Sequence, residues 1–94
     1  MTYTRLNPVY SAIDTFTSPS TTFTANNVTS LDFNVAKAGF TPIGVIQHQF
    51  ASGSANLCMS NCIVDGNTVK TGVMNRSTSA ITTTIKIVVL YKMA

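Results

Sequence analysis

Residues 81–93 alternate without interruption: Ile81, Thr83, Ile85, Ile87, Val89, Tyr91 and Met93 form one series, and Thr82, Thr84, Lys86, Val88, Leu90 and Lys92 form the other. A period of two is the signature of an extended strand with one face buried, and it is incompatible with a helix, whose apolar stripe repeats every 3.6 residues. The second series begins polar and becomes apolar at Val88 and Leu90. The strand is therefore expected to run from a half-exposed position into one covered on both faces, either by its own domain or by another subunit.

Six further strands are expected upstream. Residues 57–64 and 67–75 flank Asp65-Gly66, a pair suited to the positive φ of a type I′ hairpin turn. A polar link, 76–79, leads from that hairpin into the C-terminal strand and predicts a three-stranded meander over 57–93. Residues 43–50 read as a strand with Gly44, Ile46, His48 and Phe50 on one face and Ile43, Val45, Gln47 and Gln49 on the other. Pro42 suits that strand's first position, where no ladder donor is missed. Residues 51–55 form a Ser- and Gly-containing loop. Toward the N-terminus, 9–16, 21–25 and 28–36 read as strands, with a break at Ser18-Pro19-Ser20 and a turn at Asn26-Asn27. One helical turn is allowed for at 36–39.

Seven short strands in one chain of 94 residues describe an all-β fold, a small antiparallel β-sandwich or jelly-roll-like barrel over residues 9–94. Residues 1–8, with Pro8, are expected to be an extended arm or a join to something larger. A chain of this length buries only about 60–65% of its unfolded surface, so self-association would add materially to its stability.

Composition excludes several classes. Six basic residues against three acidic give a net charge of +3, and the basic residues Arg5, Lys37, Lys70, Arg76, Lys86 and Lys92 are scattered singly. Nucleic-acid binding calls for such residues clustered on one face. No apolar run approaches a membrane span, and the first ten residues lack the charged and apolar regions of a signal peptide, which points to synthesis in a cytoplasm. Ser and Thr supply about a quarter of the chain, which favours strands and turns.

Residues capable of chemistry are few. His48 is the single histidine, and the acids are Asp14, Asp32 and Asp65, with no glutamate. A serine triad would have to use His48 with Asp14 or Asp32, and no G-x-S-x-G element accompanies it. Glycoside cleavage by paired carboxylates would have to use Asp14 and Asp32. His48 lies between Ile46 and Phe50 on an apolar face and is read as a core or subunit-contact residue. Cys58 and Cys62, four apart in a strand, are expected on one face about 13 Å apart, too far for a disulfide, and are read as two small buried hydrophobes. With His48 they would still lack a fourth zinc ligand. The five glycines form no phosphate-cradling loop. The sequons Asn27-Val28-Thr29 and Asn75-Arg76-Ser77 occur as often as composition alone gives. The chain is thus read as non-enzymatic, with no cofactor and no metal. There is no Trp, and the Tyr and Phe residues fall in phase with apolar neighbours, so sugar contacts would fall to hydrogen-bonding side chains, of which Gln47, Gln49, Asn56 and Arg76 are best placed.

The run Ala38-Gly39-Phe40-Thr41-Pro42-Ile43-Gly44-Val45-Ile46 resembles the "aromatic, small, Pro, Ile or Leu, Gly" opening of C-terminal β-domains in tail-fibre and minor structural proteins of phages and prophages of Gram-positive gut bacteria. Gly66-Asn67-Thr68-Val69, then Asn75-Arg76-Ser77-Thr78-Ser79-Ala80, then Val88-Val89-Leu90-Tyr91-Lys92 resemble the ending of the same group, in which a hairpin leads through Asn and Ser/Thr residues to a strand closing in Val-Leu-Tyr. The likeness covers about residues 37–92. It departs from that group in placing Arg76 after the Asn and in having His48 and two cysteines.

The resemblance implies a virion location and a terminal β-domain, commonly a homotrimer, that presents loops to a host surface. Its partners would be copies of itself, other virion proteins and a host cell-surface glycan. The function implied is that of a tail-fibre tip or receptor-binding head, the alternative being a capsid decoration or head-fibre protein. On this reading the candidate subunit contact is formed by Val88 and Leu90 with His48 and Phe50, each meeting its own copies about an axis.

Overall fold

The structure is a computed structural model that describes residues 11–53 and 55–94. The expected arm at 1–8, and the start of the first strand at Val9 and Tyr10, lie outside the described residues. Eight strands follow: β1 (Ser11–Thr17), β2 (Thr21–Phe23), β3 (Val28–Asn34), β4 (Phe40–Phe50), β5 (Leu57–Asp65), β6 (Thr68–Asn75), β7 (Ile81–Thr83) and β8 (Ile85–Met93). They form three antiparallel sheets, β1-β8-β4, β2-β7 and β3-β6-β5. The all-β, sandwich-like class read from the sequence holds.

The organising element is one long two-stranded ribbon. β1, β2 and β3 pair in turn with β8, β7 and β6, so Ser11 lies opposite Lys92 and Asn34 opposite Thr68. β4 then joins the free side of β8, and β5 joins the free side of β6. The core is a single cluster drawn from all three sheets: Phe23; Phe33, Leu57, Val69 and Val73; Ile85, Ile87, Val89 and Tyr91; and Val35 just beyond β3. The predicted inward series of the last strand is fully buried from Ile85 to Tyr91. Phe16, Phe40 and Phe50 pack half-buried against it, as the in-phase aromatics were expected to do.

Two buried polar side chains hold the ribbon where it changes sheet. At the first corner Pro19 brings no N–H. There the Ser18 backbone N–H donates to Ile85 O at 2.8 Å, and the Ser18 hydroxyl accepts from Ile85 N–H at 2.9 Å. At the second corner Asn75 is fully buried, and its Nδ2 donates to Phe23 O and Ser79 O, both at 2.9 Å. Its Oδ1 accepts from Ser77 N–H, also at 2.9 Å. Every polar atom of that side chain is thereby satisfied, as burial requires.

The structure corrects four local expectations. The C-terminal run is broken at Thr84 into β7 and β8, giving eight strands in place of seven, and the expected meander does not form because β8 leaves β6 to insert between β1 and β4. The hairpin turn is Gly66-Asn67, one residue beyond Asp65-Gly66, since Asp65 pairs with Thr68. Gly66 has φ 62° while Asn67 is not in the left-handed region, the pattern of a II′ turn led by glycine. Residues 37–40 form a β-turn closed by Phe40 N–H to Lys37 O at 3.1 Å, with Gly39 at φ 81°, in place of a helical turn. Pro42 lies within β4, which tolerates it because β4 is a sheet edge.

Candidate functional site

An open groove of about 530 Å³ lies where β4 and β5, edges of the two three-stranded sheets, come together below their connecting loop. His48, Gln49, Phe50, Leu57, Cys58 and Met59 line it. The His48 and Phe50 rings meet edge to face, with centroids 5.9 Å apart. A smaller recess of about 240 Å³ lies beside it, lined by Thr17, Gln49, Ala51, Thr84 and Lys86, so Gln49 borders both.

β4 reaches this groove by an irregular path. Its register against β8 slips between Pro42 and Gly44 and again between Val45 and Gln47, leaving Ile43 and Ile46 as the extra residues of two β-bulges. Each bulge shifts the alternation by one. Directly opposed residues of an antiparallel pair share a face. Pro42, Val45, His48 and Phe50 therefore lie opposite Tyr91, Val89, Ile87 and Ile85, the buried series. Gly44, Gln47 and Gln49 lie opposite Leu90, Val88 and Lys86 on the outer face.

This separates the four residues expected at one subunit contact. Val88 and Leu90 are half-buried on the outer face of β1-β8-β4, whereas His48 and Phe50 sit in the inward register at the mouth of the groove. His48 is also exposed, so the reading of it as a core residue is corrected. The sandwich is open where His48 stands, and its ring rests on Phe50 instead of being enclosed.

Of the four hydrogen-bonding candidates, Gln47 and Gln49 are exposed neighbours on the outer face of β4. Asn56 and Arg76, both exposed, are brought together elsewhere, joined through Arg76 N–H to Asn56 O at 2.8 Å. The four do not form one cluster.

The cysteines are also displaced from expectation. A bulge at Ser60 in β5 places Cys58 opposite Met74 on the outer face and Cys62 opposite Thr71 on the inner one. Both thiols are free and both residues exposed, so neither is the buried hydrophobe the alternation indicated. Partial burial raises the Cys62 thiol above its ordinary pKa and keeps it protonated at neutral pH. Among the described residues no three of His, Cys, Asp and Glu come together as metal ligands. Asp14 is paired with Lys37 at 3.0 Å and Asp65 with Lys70 at 2.9 Å, neither beside His48 in the groove lining. Asn75, the second sequon residue, is fully buried with both amide hydrogens donated to the backbone, which leaves no nitrogen for glycosylation.

The surface feature that alternation alone did not delimit is apolar. Ile13 and Leu90 lie opposite each other on the outer face of β1-β8-β4, beside Val88, and the bulge residues Ile43 and Ile46 stand exposed on the neighbouring strand. Ile13, Ile43 and Ile46 are each about half exposed, at 58%, 49% and 54%. No family model, no curated protein and no solved structure matches the chain.

Proposed function

We propose that this chain is a non-enzymatic virion domain, the tip of a tail fibre or a receptor-binding head, that works as a homotrimer and attaches to a host cell surface. The observation that carries the reading is the outer face of β1-β8-β4, where Ile13, Val88 and Leu90, with Ile43 and Ile46 alongside, form an apolar strip on a chain otherwise rich in Ser and Thr. Apolar strips of this kind on small domains mark contacts with other proteins. The resemblance of residues 37–92 to phage tail-fibre domains supports the same reading. Copies joined through this strip keep the β4-β5 groove with Gln49, and the Asn56–Arg76 loops, available to ligand. Weak contacts at each copy would then be multiplied by their number.

Sedimentation or light scattering tests the proposal directly. The expected mass is a multiple of three chains, and Leu90→Lys is expected to abolish the trimer with unchanged circular dichroism. A wild-type chain that stays monomeric at all concentrations overturns it. Binding of labelled trimer to whole cells, competed by cell-wall glycans, supports attachment; a trimer that binds no cells at micromolar concentration assigns the domain to capsid decoration or a head fibre instead.

A further inference from the structure

We infer that the outer edge of β5 is a second self-association site, at which residues 61–65 pair antiparallel with the same residues of another copy. The inference goes beyond the trimer reading, since it uses the other three-stranded sheet.

A sheet edge leaves alternate N–H and C=O groups unpaired, and proteins protect such edges with charge, proline or bulges. Three of the four edges of the two three-stranded sheets are protected. β1 carries Asp14, ion-paired to Lys37; β4 carries Pro42 and two bulges; β3 carries Asp32 in its middle. β5 has no charge and no proline before Asp65, and its single bulge, at Ser60, leaves 61–65 regular. Within that stretch Cys62 and Ile63 are exposed, Ile63 at 51%, and Val64 is half-buried. The groove at residues 57–59 lies at the other end of the strand. The unprotected stretch is thus Cys62 to Val64, short and apolar, bounded by Asn61 and by Asp65, whose carboxylate is paired with Lys70 at 2.9 Å.

The register follows from the bulge. A two-fold axis through Ile63 keeps every paired residue within 61–65, whereas an axis nearer the N-terminus of β5 would bring Ser60 into the ladder. With the axis at Ile63, each transverse row extends one already present in the sheet. Asp32, Lys70 and Ile63 would continue into the partner's Ile63, which places no like charges side by side. Leu31, Thr71 and Cys62 would continue into the partner's Val64, extending the apolar inner face. Asp65 would face the partner's Asn61, whose amide can donate to the carboxylate. The neutral, self-complementary row is what commits the edge to a second copy in place of a charged partner strand.

The experiment compares wild type, Ile63→Lys and Leu90→Lys by sedimentation across a concentration series, with amide hydrogen exchange read over 61–65. Wild type is expected to show an association step that doubles the particle mass, accompanied by slowed exchange in 61–65. Ile63→Lys opposes two ammonium groups across the axis and is expected to weaken that step by about tenfold or more. In Leu90→Lys the trimer is lost while the doubling persists, so failure of one contact is read independently of the other. With both native cysteines replaced by serine, Ile63→Cys is expected to give a disulfide-linked dimer on mild oxidation. A doubling that survives Ile63→Lys, or exchange in 61–65 that does not respond to concentration, overturns the inference.

Discussion

The Ser60 hydroxyl donates to the Gly72 carbonyl at 3.1 Å, and a Cβ placed on Gly72 would stand 3.2 Å from the Ser60 Oγ. The bulge of β5 is thus seated on a position of β6 that has no side chain. The same Cβ would also lie 3.2 Å from Val28 Cγ1 and 3.3 Å from Asn61 Cβ. Gly72→Ala therefore crowds three neighbours on the central strand of its sheet. Its expected cost is about 1–2 kcal/mol, despite alanine's better strand propensity, because overpacking outweighs it. Urea unfolding measures this, and a midpoint equal to wild type would refute the seating argument.

Asn75→Ala removes three hydrogen bonds at a corner and takes the side-chain partner from Ser77 N–H and Phe23 O, while Ser79 O keeps the Ser77 hydroxyl. The expected loss is about 2–4 kcal/mol. Asn75→Asp keeps the shape but can no longer donate to Phe23 O and Ser79 O as a carboxylate, and is expected to be no more stable than the alanine variant. Thermal denaturation of the two variants checks the order.

Ser18→Ala leaves the Ile85 N–H without its acceptor at the other corner. A loss of about 1–2 kcal/mol is expected. Thr17→Ala, one residue away and exposed, serves as the control and is expected to change stability by no more than about 0.5 kcal/mol.

Tyr91 is fully buried, and its hydroxyl donates to Val35 O at 2.6 Å, joining β8 to the chain leaving β3. Burial, and secondarily the negative charge of Asp14, raises its pKa above the ordinary 10.0. The folded chain then holds this proton more tightly than the unfolded one. The associated stability is complete below pH 10.0 and is lost as pH rises through the higher folded value. Cys62, raised from 9.0 by burial, contributes with the same sign from a lower starting pH. Tyr91→Phe is expected to cost about 1 kcal/mol at neutral pH and to flatten the alkaline decline. Melting temperatures from about pH 8 to about pH 11 test this, and an unchanged slope would refute it.

What the sequence made legible was whatever rested on uninterrupted alternation. The buried run from Ile85 to Tyr91, the β5-β6 hairpin and the Asn26 turn, with φ 54°, all follow from local pattern. Parity errors account for most of the rest. Each bulge, at Ile43, Ile46 and Ser60, reverses the side on which every later residue falls, and no residue type marks it. The single bulge at Ser60 is why Cys58 and Cys62, four apart, fall on opposite faces. The two bulges of β4 cancel by His48, which is set apart from Val88 and Leu90 by the pairing register of β4 with β8, a property that no single strand's pattern carries. The break at Thr84 was hidden for a different reason. Ile81, Thr83 and Ile85 keep the period of two through it, because the strand changes partners there while its own sequence pattern continues.

The folded ribbon also bears on the order of assembly. Gly66-Asn67 joins neighbours, so β5 and β6 can meet at once, but β1 must wait for a partner that lies opposite it at Lys86 to Lys92. A polypeptide emerging from the ribosome can close the inner hairpin early, while its first strand stays unpaired until the last has been made. Loop closure over that separation is slow. During that interval β1 has none of the ladder partners that the folded chain gives it.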